Sequence, residues 1–89
     1  MRIKWRPEAR AGLLEILDYI SEHDITASSK LSQTIDTAIS ALSQHPFLYR
    51  PGRVSGTREI VVHPNYLVVY RVTDRIDILN ILHARREYP

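Results

Sequence analysis

His63-Pro64-Asn65-Tyr66-Leu67-Val68-Val69-Tyr70-Arg71-Val72, then Thr73-Asp74-Arg75, then Ile76-Asp77-Ile78-Leu79-Asn80-Ile81-Leu82-His83-Ala84 is the stretch that decides the fold. Its β-branched and aromatic residues fit a pleated, half-buried surface. Turn formers punctuate it on either side of 66–72. It reads as two antiparallel strands, 66–72 and 76–84, with a third at 57–63 ahead of them. Both faces of 66–72 are largely apolar, which marks a central strand. In the Pro64-Asn65 turn, proline presets φ at the first position and asparagine tolerates a positive φ at the second. The last strand runs directly into Arg85-Arg86-Glu87-Tyr88-Pro89, so apolar sheet and exposed charge meet at one end.

Upstream, Arg2 to Trp5 alternates polar and apolar as a short strand does. Pro7 suits a first helical position, where the missing N–H costs nothing. Ala9, Leu13, Ile16, Leu17 and Ile20 then form one apolar helical stripe ending near His23. Leu31, Ile35, Ala38, Ile39 and Leu42 repeat that stripe in a second helix, capped by Asp24 or Thr26 and stopped at His45-Pro46. The short link makes the two an antiparallel α-hairpin. Residues 45–56 read as a loop, with Phe47, Leu48 and Tyr49 expected to pin it to the core. The fold class is therefore α+β: an N-terminal strand, then a helical hairpin packed on an antiparallel meander, within one domain spanning 1–89. The first strand is expected to join an edge of that sheet.

The chain has 89 residues and no cysteine, which excludes a disulfide framework and a thiolate metal site and suits the cytoplasm. So small a domain buries only about 60–65% of its unfolded surface. No apolar run is long enough for a membrane span, and no signal-peptide core is visible. Net charge is +2, unevenly divided. Residues 1–49 carry five Lys/Arg against six acids; residues 50–89 carry seven Arg against four. The arginine fork suits phosphate and carboxylate recognition.

His63 and His83 lack the spacing of a metal site. No Gly-x-Ser-x-Gly or phosphate loop occurs, so no cofactor is expected. Glu8, Glu15, Asp18 and Glu22 read as a solvated helix face with i,i+3 or i,i+4 pairing. The sharper feature is Arg53, Arg58, Arg71, Arg85 and Arg86, with Arg58 and Arg85/Arg86 expected to converge near His83 and Tyr88. Such a cluster can hold a nucleic-acid backbone or an acidic partner, or stabilise a phosphorane.

The helical hairpin, the run His45-Pro46-x-Leu48-Tyr49-x-Pro51-Gly52-Arg53-Val54, then Gly56-x-Arg58-Glu59-Ile60-Val61-Val62, His63-Pro64-Asn65-Tyr66, Val69-Tyr70-Arg71-Val72 and Ile81-Leu82-His83-Ala84-Arg85-Arg86 resemble the ParE/RelE superfamily of type II toxins, over nearly the whole chain. The resemblance implies a growth-inhibiting toxin neutralised in a hetero-oligomer with a cognate antitoxin. RelE-type members cut mRNA on the ribosome with basic residues on the sheet; ParE-type members poison DNA gyrase. Ile60 and Leu67 fall where the ribonuclease pattern has charge, so the likeness is closer to ParE. It implies target contacts by Arg58, Arg85, Arg86 and Tyr88, and antitoxin contacts by Trp5, Leu13, Leu17, Arg53 and Arg71. The ribonuclease alternative would rest on Arg58, His83, Arg86 and Tyr88.

Overall fold

A computed structural model describes residues 1–85. Strand β1 (Ile3–Trp5) precedes helices α1 (Pro7–Ser21) and α2 (Ile25–Ala41), followed by strands β2 (Arg50–Pro51), β3 (Arg58–His63), β4 (Tyr66–Val72) and β5 (Ile76–His83). The sheet order is β1-β5-β4-β3-β2, which puts β4 in the middle. β1 lies parallel to β5, with Ile3 opposite Ile76 and Trp5 opposite Ile78. All other pairings are antiparallel.

The helices form where the apolar stripes place them. Pro7 opens α1 without a side-chain cap. The Asp24 carboxylate accepts the Ala27 N–H at 3.0 Å and so caps α2. α2 ends at Ala41, before the His45-Pro46 stop expected from the sequence. Ser28 Oγ donates to the Leu17 carbonyl at 3.0 Å, a polar tie between the two helices. One face of the sheet receives the hairpin: Ala9, Leu31, Ile35, Ile39 and Leu42 bury against Ile60, Val68, Tyr70, Ile76, Ile78 and Ile81. At roughly 1.5–3 kcal/mol per fully buried large aliphatic side chain, this interface supplies most of the fold's driving force. Leu67, Val69 and Leu82 make a smaller cluster on the other face, joined by Leu79 and Ala84.

Gly12 sets how closely α1 approaches β5. A Cβ there would stand 2.7 Å from the Ile81 carbonyl oxygen, nearer than real Cβ contacts come. The β4–β5 register shifts between Val69 and Tyr70, which face Asn80 and Ile78 and leave Leu79 as the extra residue. This bulge explains how Ile78 and Ile81, three apart, both reach the helical side.

Three local expectations are corrected. Residues 50–51 form a short strand, because Arg50 and Pro51 pair with Glu59 and Arg58 at the edge of β3. No non-glycine residue among those described has a positive φ, so Asn65 does not make the expected left-handed turn. A register irregularity between Val61 and His63 accommodates the turn instead. Phe47 and Leu48 do not pin the 45–56 loop: they are 64% and 60% exposed, and only Tyr49 packs on the core.

Candidate functional site

The face of the sheet turned away from the helices is the natural place for a site, and cross-strand register determines what it presents. Glu59 lies opposite Val69, Val61 opposite Leu67, and Leu67 opposite Leu82. This face is thus apolar in its centre. Ile60 sits on the opposite side, 2% exposed in the helix-facing core. A charge at that position would be buried among aliphatics, so the open-face residues of β3 are Glu59 and Val61. By strand parity, the side chain at position 60 therefore does not bear on the charge of the open face.

Glu59 is the main polar feature, and the sequence reading missed it. Only 4% exposed, it accepts Arg50 Nη2 through Oε1 at 3.2 Å and the Arg53 backbone N–H through Oε2 at 3.0 Å. The loop between β2 and β3 is thereby held on the sheet, and Arg53 Nη2 reaches the Ala84 carbonyl at 3.3 Å. Gly56, at φ 83°, provides the left-handed residue this tight loop requires. At the same end of this face, Arg71 stands opposite Asp77, whose carboxylate pairs with Arg75 Nε at 3.1 Å. Alternation in β3 and β5 was the available signal for both buried acids, since each sits on the open face next to a helix-facing isoleucine, Ile60 or Ile78.

Arg58 does not converge with His83 and Arg85. It begins β3, opposite Tyr70, whereas His83 lies opposite Tyr66, the other end of β4. Five residues of strand separate the two ends of β3, about 16 Å at 3.3 Å per residue. Arg58 is also committed locally: Nη1 donates to the carbonyls of Tyr49 at 2.7 Å and Phe47 at 3.4 Å. Its guanidinium lies 4.9 Å from the Phe47 ring centroid. Tyr70, fully buried next to it, donates its hydroxyl to the Pro46 carbonyl at 3.0 Å. Burial raises the Tyr70 pKa, the nearby Arg58 charge opposing that rise in part.

His63, Tyr66 and His83 do come together. The Tyr66 ring lies 5.3 Å from His63 and 5.5 Å from His83, between centroids. Each Nδ1 accepts a backbone N–H two residues on, from Asn65 at 3.0 Å and Arg85 at 3.2 Å. An accepting Nδ1 leaves the proton of the neutral ring on Nε2. Tyr66 and His83 also line a groove of about 730 Å³ against α1, with Gly12, Glu15 and Tyr19 on its helical wall. Arg85 is exposed beside this row; Arg86 and Tyr88 lie outside the described residues.

Of the residues expected to meet an antitoxin, Trp5 is half-buried on β1, with the Arg10 guanidinium 5.5 Å from its ring. Leu13 and Leu17 are half-buried and pack on the core; the more exposed apolar groups of α1 are Leu14 and Tyr19. The helical carboxylates Glu8, Glu15, Asp18 and Glu22 form no salt bridge among the described residues. No three His, Asp or Glu side chains converge as metal ligands there. Among the described residues, no helix is long and apolar enough to cross a membrane.

A family model described as the ParE toxin of type II toxin–antitoxin systems matches residues 3–88. The chain belongs to the ParE toxin family. This ParE-family toxin is 37% identical over 89 residues to Y4kP of Sinorhizobium fredii, covering 99% of this chain and 93% of that one. It is 33% identical over 88 residues to the toxin RelE2 of Caulobacter vibrioides, covering 96% and 97%. Its fold matches a solved structure of the chromosomal ParDE system from P. aeruginosa with a TM-score of 0.79 and 28% identity, over 93% of this chain and 95% of that one.

Proposed function

We propose that this toxin arrests growth by binding DNA gyrase, without cutting RNA itself, and that a cognate antitoxin holds it inactive. The observation carrying this reading is the composition of the open sheet face. Cleaving RNA requires a 2′-hydroxyl to be activated and a phosphorane's charge to be stabilised, and removing one preorganised charge from such a site costs roughly 3 kcal/mol. On this face Val61 of β3 is exposed, while Glu59, Leu67, Val69 and Leu82 are buried, so its centre holds aliphatic side chains and one acid. The acid is already paired with Arg50, and Arg58 is spent on the loop carbonyls at the far end. Aliphatic side chains and a paired acid at the centre of the sheet give phosphate chemistry no charge to work with. Within the proposal, Arg85 contacts the target with Arg86 and Tyr88, while Arg53, Arg71, Trp5, Leu13 and Leu17 belong to the antitoxin side. Arg58 supports the fold near the surface and makes no direct target contact.

Purified toxin added to gyrase and relaxed plasmid is expected to inhibit supercoiling and trap cleaved DNA, with Arg85→Ala weakening the effect about tenfold. Gyrase left untouched at micromolar excess would falsify the proposal.

The row His63–Tyr66–His83 beside exposed Arg85 favours one second reading, mRNA cleavage on the ribosome, because two imidazoles and a cation are the groups available there for acid–base work. Codon-positioned breaks in primer extension from toxin-expressing cells, abolished by His83→Ala, would select it. Intact mRNA with an induced DNA-damage response would select gyrase.

A further inference from the structure

Residues 45–49 invert the usual logic of a connecting loop. A segment whose only task is to link α2 to β2 would turn its apolar side chains inward and leave its carbonyls to water. Here the carbonyls are taken up by protein. Pro46 accepts from the Tyr70 hydroxyl at 3.0 Å, and Phe47 and Tyr49 accept from Arg58 at 3.4 and 2.7 Å. A further bond, Leu48 N–H to the His45 carbonyl at 3.2 Å, closes the turn. Yet Phe47 and Leu48 stay 64% and 60% exposed. The fold uses a buried tyrosine and an arginine to immobilise two large apolar side chains in solvent.

Such preorganisation lowers the entropic cost of an interface, because little ordering remains to be done on binding. The charges around the pair define its partner. Arg58 lies over one face of Phe47 and Lys30 of α2 lines the same hollow as Tyr49; neither forms a salt bridge among the described residues, whereas the nearby Arg50 is paired with Glu59. An apolar pair rimmed by cations fits an apolar recess rimmed by Asp or Glu. A second copy of this chain would oppose like charges, and a nucleic acid would gain nothing from Leu48.

We infer that Phe47 and Leu48 are anchor residues for the antitoxin, inserting into an acidic-rimmed apolar recess of its toxin-binding segment. This rests on the reading that an antitoxin binds the toxin. The test uses the full toxin and the product of the neighbouring antitoxin gene, with affinity measured by calorimetry. Phe47→Ala and Leu48→Ala are each expected to weaken the complex about tenfold or more, and Leu48→Asp further, as interface anchors do. Because both side chains are exposed, the variants should melt within about 4 °C of the parent. Ile25→Ala, at an exposed apolar residue on the far end of α2, is expected to leave affinity unchanged. If the parent binds the antitoxin and Phe47→Ala/Leu48→Asp binds within twofold of it, the anchor assignment is overturned and the antitoxin reading stands. If the parent itself does not bind, both fall. Growth arrest lost with antitoxin affinity intact would place the loop on the cellular target and overturn the assignment.

Discussion

Glu59 shows how a single residue can shape this surface without acting on a substrate. Its ion pair with Arg50 is worth little, because the arginine side chain is 60% exposed and water screens it. The bond from the Arg53 backbone matters more, since its loss leaves a part-buried N–H without an acceptor. Glu59→Ala is therefore expected to cost about 1–3 kcal/mol, read as a drop in denaturant midpoint, with Glu59→Gln retaining part of the loss. Gly12→Ala forces a Cβ against the Ile81 carbonyl and is expected to cost about 1–3 kcal/mol by pushing α1 off β5. Tyr70 carries a pH dependence. Its raised pKa keeps the phenol protonated in the folded state after the unfolded chain has begun to ionise. Stability is then level below the unfolded value near 10 and falls as pH rises through it towards the folded value. Urea midpoints between about pH 9 and about pH 11 should show this alkaline loss, and Tyr70→Phe should flatten its share of it.

At the scale of elements, the hairpin depends on one cap and one tie. Asp24→Ala is expected to remove about 1 kcal/mol by freeing the Ala27 N–H, measurable as a fall in Tm of a few degrees. Both helices were legible because their apolar residues recur at helical spacing, and the stripes coincide with the buried faces. Strand β4 was legible from its double-sided apolarity, and it is the central strand. Other features depended on tertiary context. The bulge at Leu79 leaves no mark in alternation and is seen only when Ile78 and Ile81 are found on one side. β2 is two residues of edge pairing, too short for any periodicity. The expected meeting of Arg58 with His83 failed for a simpler reason: in a meander, the start of one strand lies beside the end of the next, so the start of β3 and the end of β5 fall at opposite ends of the sheet. Phe47 and Leu48 misled because hydrophobicity predicts burial only on average.

Considered whole, the toxin carries its positive charge in the half that forms the meander, while α1 presents Glu8 and Glu15 along a groove. An acidic partner approaching the arginine-rich side is steered by long-range attraction. Association with the antitoxin is thus expected to slow about tenfold or more between low and high salt, with dissociation changing less, in stopped-flow measurements. The parallel contact of β1 with β5 has a different kind of consequence. β5 lies between β1 and β4, so residues 3–5 have no strand partner until residues 76–83 have been made. Such distant pairing delays folding relative to synthesis. A nascent chain stopped before Ile76 lacks both the seat for β1 and the floor beneath α1. Termination before β5 therefore yields fragments that lack the assembled sheet and, with it, the toxin's surface.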